Sequence, residues 1–270
     1  MTMLLRDRAV GVFDSGLGGL TVAAAIRRLL PEESVIYLGD TARLPYGNRS
    51  PETIREFAAR DLDFLLNHGV KTVIAACNTV SAEALETMQA AAGNVPVSGV
   101  ILPGVREVIR SGARSVAVLG TRGTIRSGIY ERELRRLDPT LKIRSIACPL
   151  FVPLAEEGIL SGPAAEQIAE LYLKELRADP PELIIPGCTH YPLLQKTILS
   201  VLPRGVRFAD CASACAGELK SFLERERLTS GRNTPGDFRM CFTDMTDAYR
   251  IQAENFLGAS PGQMEKVSLD

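Results

Sequence analysis

The chain has no tryptophan, and aromatic residues make up only 6% of its 270 positions. Base-stacking platforms need aromatic rings, so this scarcity argues against a single-stranded nucleic-acid binder. Charge of one sign is also lacking: 31 basic residues stand against 32 acidic ones, for a net charge of -1. That balance offers neither the basic stripe of a nucleic-acid surface nor electrostatic attraction to a membrane. No apolar run approaches the ~18 residues of a membrane-spanning helix. The stretch Met1–Arg8 carries no apolar core ahead of its charges. No secretory signal is expected there, and the chain is expected to work in the cytoplasm.

Metal and nucleotide signatures are missing as well. The six cysteines contain no CxxC pair, and only two histidines accompany them. Cys188-x-His190 and Cys211-x-x-x-Cys215 are too sparse for a four-ligand zinc site. Cys211 and Cys215 stand at helical i, i+4 spacing, which suits packing, and Cys148 and Cys241 also read as small buried hydrophobes. Wide spacing without a signal peptide points to reduced thiols, not a disulfide framework. The turn Asp14-Ser15-Gly16-Leu17-Gly18-Gly19 lacks both the P-loop lysine and the GxGxxG spacing. No metal and no cofactor are expected.

What is present is an ordinary globular composition, 46% apolar and 23% charged. The length suits roughly two domains. Short apolar runs predict strands over 9–13, 34–38, 72–76, 94–100, 115–119, 142–147, 183–185, 206–210 and 240–243, with helices between them. Among those helices are 20–30, a segment opened by Ser50 as cap and Pro51, 81–92 and 164–177. The tail from Gly258 is expected to be poorly tied down. Alternation of strand and helix predicts an α/β protein with mostly parallel sheets.

The chemistry gathers at strand ends. Val73-Ile74-Ala75-Ala76-Cys77-Asn78-Thr79 runs from a strand into a cysteine, an amide and a hydroxyl. Open α/β sheets place their ligands at the carboxyl ends of strands. A lone cysteine there is more often core than catalyst, but a second one follows the same plan. Strand, Gly- or hydroxyl-bearing turn and helix occur over 10–30 and again over 116–137, and Cys188-Thr189-His190 closes the second unit. The spacing is similar: 63 residues separate Asp14 from Cys77, and 67 separate Thr121 from Cys188. Two lobes of one plan, facing each other, bring two thiols to opposite sides of a cleft.

Opposed thiols suit inversion at a carbon. One thiolate takes a proton from one face and the thiol opposite returns a proton to the other, with no cofactor. A reference pKa of ~8.5 can be pulled toward the working pH by the surroundings. Each sulfur needs a polar neighbour; Asp14 for Cys77 and His190 for Cys188 are the candidates, although Asp14 and Ser15 also fit as simple helix caps. A two-lobed protein that binds an amino acid without chemistry has the same cleft and donors, and differs in that its cysteines are dispensable.

The motifs Gly11-Val12-Phe13-Asp14-Ser15-Gly16-Leu17-Gly18-Gly19, Gly39-Asp40-Thr41-Ala42, Pro45-Tyr46-Gly47, Ala76-Cys77-Asn78-Thr79 and Gly187-Cys188-Thr189-His190-Tyr191-Pro192 occur in this order. With them the chain closely resembles the glutamate racemases of the cofactor-independent Asp/Glu racemase superfamily, over about residues 10–223. The resemblance implies two pseudo-symmetric lobes with the active site in the cleft between them, lobe one from 1–98 plus 208–270 and lobe two from 99–207. It implies that Cys77 and Cys188 are the acid/base pair, that Asp14 and His190 assist them, and that Glu156 aids the Cys188 side, with Glu157 as the alternative. It further implies that Asp14, Ser15, Pro45, Tyr46, Gly47, Asn78, Thr79, Thr121, Thr124, Thr189 and His190 bind the substrate. The implied activity interconverts L- and D-glutamate and supplies D-glutamate for peptidoglycan. The implied partners are glutamate and a second copy in a homodimer, with no nucleic acid or membrane; aspartate stands as the alternative substrate.

Overall fold

A computed structural model describes residues 4–269. Residues 1–3 of the N-terminal stretch read above lie outside the described residues. Ten strands form two sheets: β1 (Val10–Asp14), β2 (Val35–Gly39), β3 (Thr72–Ala75), β4 (Val97–Gly99), β5 (Ser115–Gly120), β6 (Lys142–Ala147), β7 (Leu183–Gly187), β8 (Arg207–Phe208), β9 (Phe238–Phe242) and β10 (Met264–Lys266). The first sheet has the order β10-β9-β2-β1-β3-β4 and the second β6-β5-β7-β8. Every pairing is parallel. The internal repeat is visible in these orders, since both sheets contain the run second-first-third-fourth. In each, the third strand leads to a cysteine.

Parallel strands need cover on both faces, and the central ones are apolar throughout. β1, β3 and β7 are buried along their whole length. Successive side chains of β1 point to opposite sides. Val10 and Val12 pack with Leu20, Ala23 and Ile26 of the helix Leu20–Leu29. Phe13 packs with Ile54, Ala58 and Leu62 of the helix Pro51–Asn67. In the second sheet Val116 and Val118 meet Val105 and Leu134 on one side, while Ala117 and Leu119 share a core with Ala169 and Leu173 on the other. Each fully buried Leu or Ile contributes about 1.5–3 kcal/mol relative to exposure.

Three expectations are corrected. The helix predicted over 81–92 starts earlier, at Asn78, and breaks at Ala84. Ser81 sits inside it because its hydroxyl donates to the Ala75 carbonyl at 2.8 Å. The helix predicted through Leu137 breaks at Gly128, which adopts φ +65°, a region that suits glycine. The tail is held after all: β10 pairs with β9. Its Glu265 and Lys266 form ion pairs with Arg239 and Asp244. Two charged residues in a three-residue strand give no apolar alternation to read.

Candidate active site

Cys77 follows β3 and Cys188 follows β7, so the two parallel sheets present their thiols from equivalent edges. Both thiols line one cavity of about 30 Å3, together with Ser15, Gly16, Leu44, Pro45, Tyr46, Gly47, Asn78, Thr79, Thr121, Val152, Glu156, Thr189 and His190. A wider groove of about 1090 Å3 lies elsewhere, walled by ion-paired residues such as Arg106 and Glu218. It contains Cys215 but no second cysteine and no histidine, whereas the small cavity gathers two cysteines, a histidine and a carboxylate.

The Cys188 turn builds a hydrogen-bonded chain. His190 Nδ1 lies 3.7 Å from Cys188 Sγ, and His190 Nε2 lies 3.2 Å from Glu156 Oε1. Burial works against a charge on the ring, but the bonds to Cys188 and Glu156 outweigh it and raise the His190 pKa to about 10. The protonated ring donates from both nitrogens, leaving the sulfur as acceptor. Glu157 is exposed, and the geometry brings Glu156 rather than Glu157 to the histidine. The helix Ala248–Leu257 closes this corner: the Phe256 ring stands edge-on to His190 with centroids 5.2 Å apart. Gln252 Nε2 donates to the Glu156 carbonyl at 2.7 Å.

The Cys77 side is different. Its thiol donates to Ser15 Oγ at 3.7 Å. Burial, and then the nearby Asp14 carboxylate, push its pKa up to about 12. Asp14 itself is fully buried, and burial raises its pKa against the opposing pull of His190. Its Oδ1 accepts from the Gly16 N–H at 3.0 Å, and the Gly19 N–H also bonds the carboxylate. Asp14 thus closes the turn ahead of the helix Leu20–Leu29 and does not cap it, because the N-cap is Gly19 and no side chain caps it. Its Oδ2 accepts from Thr189 Oγ1 at 3.2 Å, which ties the first turn of one sheet to the cysteine turn of the other.

The remaining donors meet where the sheets face each other. Thr79 Oγ1 lies 3.0 Å from Thr121 Oγ1 and 3.4 Å from Thr124 Oγ1. Thr121 caps its own short helix, taking the Thr124 N–H at 3.2 Å. Of this triangle, Thr79 and Thr121 line the cavity and Thr124 does not. The two halves touch through glycines. A Cβ on Gly18 would stand 2.3 Å from Thr189 Oγ1 and 2.6 Å from His190 Nδ1. A Cβ on Gly47 would stand 2.7 Å from Thr121 Cβ. Neither position has room for any other residue.

Tyr46 departs from the expectation of a substrate donor. Its hydroxyl bonds Asp40 and, at 3.0 Å, Asp61 Oδ2. It therefore offers the cavity its ring and backbone. Asp61, Gln252 and Phe256 had no signal in the sequence, since none belongs to a motif and each meets the site only through folding. Cys148, Cys211, Cys215 and Cys241 are free thiols outside the cavity. Among the described residues no group of three or more His, Cys, Asp and Glu is arranged to hold a metal ion. No helix among them is long and apolar enough to cross a membrane.

The profile of the Asp/Glu/Hydantoin racemase family matches residues 20–219. The chain belongs to this family. It is 41% identical over 266 residues to a glutamate racemase of Geobacter metallireducens, covering 97% of each chain. Its fold is similar to the crystal structure of a Francisella tularensis glutamate racemase in complex with D-glutamate. That match has TM-score 0.92 and 37% identity over 98% of this chain and 99% of the other. An aspartate racemase homologue from Pyrococcus horikoshii shares the fold at TM-score 0.57 and 19% identity, covering 80% of this chain and 99% of the other. Membership of the racemase family gives the two facing cysteines their chemical context.

Proposed function

We propose that this racemase interconverts L- and D-glutamate by a two-base mechanism with Cys77 and Cys188. The observation that carries the reading is the pair of thiols lining one cavity from equivalent ends of two repeated sheets. The glutamate racemases at about 40% identity support the choice of substrate. With the enantiomer that presents its Cα–H to Cys188, that sulfur, paired with protonated His190, takes the proton. Cys77 then delivers its own proton to the opposite face. The reverse reaction starts from the mirrored protonation state, with Asp14 beside Cys77 and His190 beside Cys188 adjusting their charges. Ser15, Asn78, Thr79, Thr121 and Thr189 act as fixed donors, and such donors stabilise the negative charge that grows on the α-carboxylate. Pro45, Tyr46 and Gly47 form the opposite wall.

A cavity of about 30 Å3 holds only about two waters. An amino acid with two carboxylates therefore enters when the lobes part, and closure then excludes water from the carbanion-like intermediate. Lobe one (1–98 with 208–270) and lobe two (99–207) are the bodies that move. The same reading places the protein in the cytoplasm as a homodimer without cofactor, feeding D-glutamate to peptidoglycan. Light scattering tests the dimer, and rescue of a D-glutamate-requiring bacterium tests the supply role.

The deciding experiment is incubation with L-glutamate in D2O, following the α-proton signal and circular dichroism together. Loss of both signals is expected. Retention of the α-proton makes the protein a binder without chemistry, and a faster response to aspartate reassigns the substrate.

A further inference from the structure

Tyr130 touches the residue after one cysteine and the residue before the other. It lies in the first turn of the helix Ile129–Leu137 and is 2% exposed. Its hydroxyl donates to Asn78 Oδ1 at 2.7 Å, in a buried bond. Its ring lies against Gly187, where a Cβ would come within 3.3 Å of Tyr130 Cε2. One side chain thus contacts the residue that follows Cys77 and the residue that precedes Cys188. Burial, with the thiols of Cys211 and Cys188 nearby, holds the phenol well above its usual pKa, so the O–H stays a donor.

An amide carries its carbonyl oxygen and its NH2 in one plane, on different edges of the group. With the Asn78 carbonyl bound to Tyr130, the NH2 is turned away from Tyr130, and Asn78 lines the cavity. We infer that Tyr130 is a positioning residue that fixes the Asn78 amide with its NH2 facing the cavity, as a donor to a carboxylate of the substrate. The inference rests on the reading of Asn78 as a substrate-binding residue. The hydroxyl can also accept, but Asn78 Oδ1 is its one acceptor among the described residues, so a flipped amide leaves the buried O–H proton unbonded. Without the hydroxyl that penalty is gone, and the amide is free to present its carbonyl to an anionic group. A flipped carbonyl repels that group and leaves it without a partner.

The test is a double-mutant cycle on the intact enzyme, with KM and kcat measured for both enantiomers. Tyr130→Phe is expected to raise KM about tenfold with kcat within about threefold, because the donor holds ground and transition states alike. Asn78→Ala is expected to raise KM at least as much. In the Asn78→Ala background Tyr130→Phe is expected to add less than about twofold, because the two residues act as one unit. Enantiomers in water have an equilibrium constant of one, so kcat/KM falls by the same factor in both directions in every variant. Asn78→Asp is the control if Tyr130→Phe fails to fold. It keeps an acceptor for Tyr130 but offers no NH2, and its KM is expected to rise as in Asn78→Ala. A Tyr130→Phe enzyme with wild-type KM overturns the inference, as does a Tyr130→Phe effect undiminished in Asn78→Ala, or a wild-type KM in Asn78→Asp. Wild-type KM in Asn78→Ala removes the substrate-binding reading of Asn78 itself, and a loss of racemisation in the cysteine variants still stands apart from that result.

Discussion

The two cysteines follow equivalent strands of the four-strand run that both sheets share, yet their electrostatic surroundings are opposite. Cys188 faces an imidazolium backed by a carboxylate. Cys77 faces a hydroxyl, with a buried carboxylate close by. Cys188 Sγ therefore has a cationic ring beside it, whereas burial and the Asp14 carboxylate keep the proton on Cys77. In the proposed mechanism this asymmetry makes Cys188 the first base and Cys77 the first acid. Backbone symmetry comes from the strands, which share a hydrophobic pattern. The asymmetry comes from the turns, where His190 follows Cys188 by two residues and Thr79 holds the matching place after Cys77. A repeat of fold thus fixes where the reacting groups stand, and the turn residues decide which proton each holds.

The sharpest break of this comparison removes one sulfur at a time. Cys77→Ser and Cys188→Ser are each expected to lower racemisation by about 10^3-fold. Solvent deuterium then separates them. Each variant is expected to exchange the α-proton of one enantiomer without inverting it, and the two variants are expected to choose opposite enantiomers. Exchange of the same enantiomer by both variants, followed by NMR, would falsify the two-sided mechanism.

Next in size is the contact of Gly18 with the turn after Cys188. An added methyl has to displace Thr189 and His190. A misplacement of about 1 Å in a catalytic group costs ~10^2-fold. Gly18→Ala is expected to lose that much in kcat, with the thermal midpoint lowered by only a few degrees. Gly47→Ala, which presses on Thr121 instead, is expected to act mainly on KM. Equal kcat losses in both variants mean that general closure matters and the His190 position does not.

Much of this site was legible in the sequence, for a physical reason. Cysteine, amide and hydroxyl residues at the ends of apolar strands lie where parallel sheets place ligands, and Ser15, Cys77, Asn78, Thr79, Cys188, Thr189 and His190 line the cavity, whereas Asp14 and Thr124 do not. What was not legible depends on contacts between distant segments. The hydrogen bond from Tyr130 to Asn78 spans 52 residues, and Phe256 reaches His190 from a C-terminal helix outside every motif. Tyr46 reads as a donor in its motif, but Asp61, on the next helix, takes its hydroxyl. The held tail was missed because β10 gains its stability from backbone pairing and ion pairs, which leave no apolar period.

Glu156 sharpens the charged side of the comparison. Its bond helps keep His190 protonated, so Glu156→Gln is expected to reduce kcat about tenfold and move the alkaline limb of kcat/KM to lower pH. Stability follows the same proton. The folded His190 titrates at about 10 and an unfolded histidine at ~6.5. The stabilisation is fully present below the lower value and is lost as pH rises through the upper one. The wild type is therefore expected to exceed Glu156→Gln by about 1–2 kcal/mol near pH 6, with the gap closing toward pH 10 in urea titrations. Glu157→Gln is expected to change neither. A gap that does not vary with pH removes His190 as its source.

The smallest effect tests the Cys77 side, under Tyr46. That hydroxyl has one proton, and oxygens of Asp40 and Asp61 both lie within bonding reach. One hydrogen cannot serve both, so the second contact needs a proton on a carboxyl. Asp61 carries it. Arg43 Nε sits 2.6 Å from Asp40 Oδ2, whereas its Nη2 is 3.4 Å from Asp61 Oδ1. Burial, and then the charge on Asp40, raise the Asp61 pKa well above the usual carboxylate value. An acid with a raised folded pKa destabilises the native state at every pH above its unfolded value of ~3.9, and does so less as pH falls to that value. Asn supplies the same shape, with an N–H for the Tyr46 oxygen and a carbonyl for Arg43. Asp61→Asn is accordingly expected to stabilise the protein at pH 7, on the order of 1 kcal/mol, and to give no advantage near pH 3. It is expected to leave the alkaline limb set by His190 unmoved, because the charge it concerns belongs to the other lobe. A destabilised Asp61→Asn at pH 7 means that the carboxyl is ionised there, and that the Cys77 side carries more negative charge than its geometry requires.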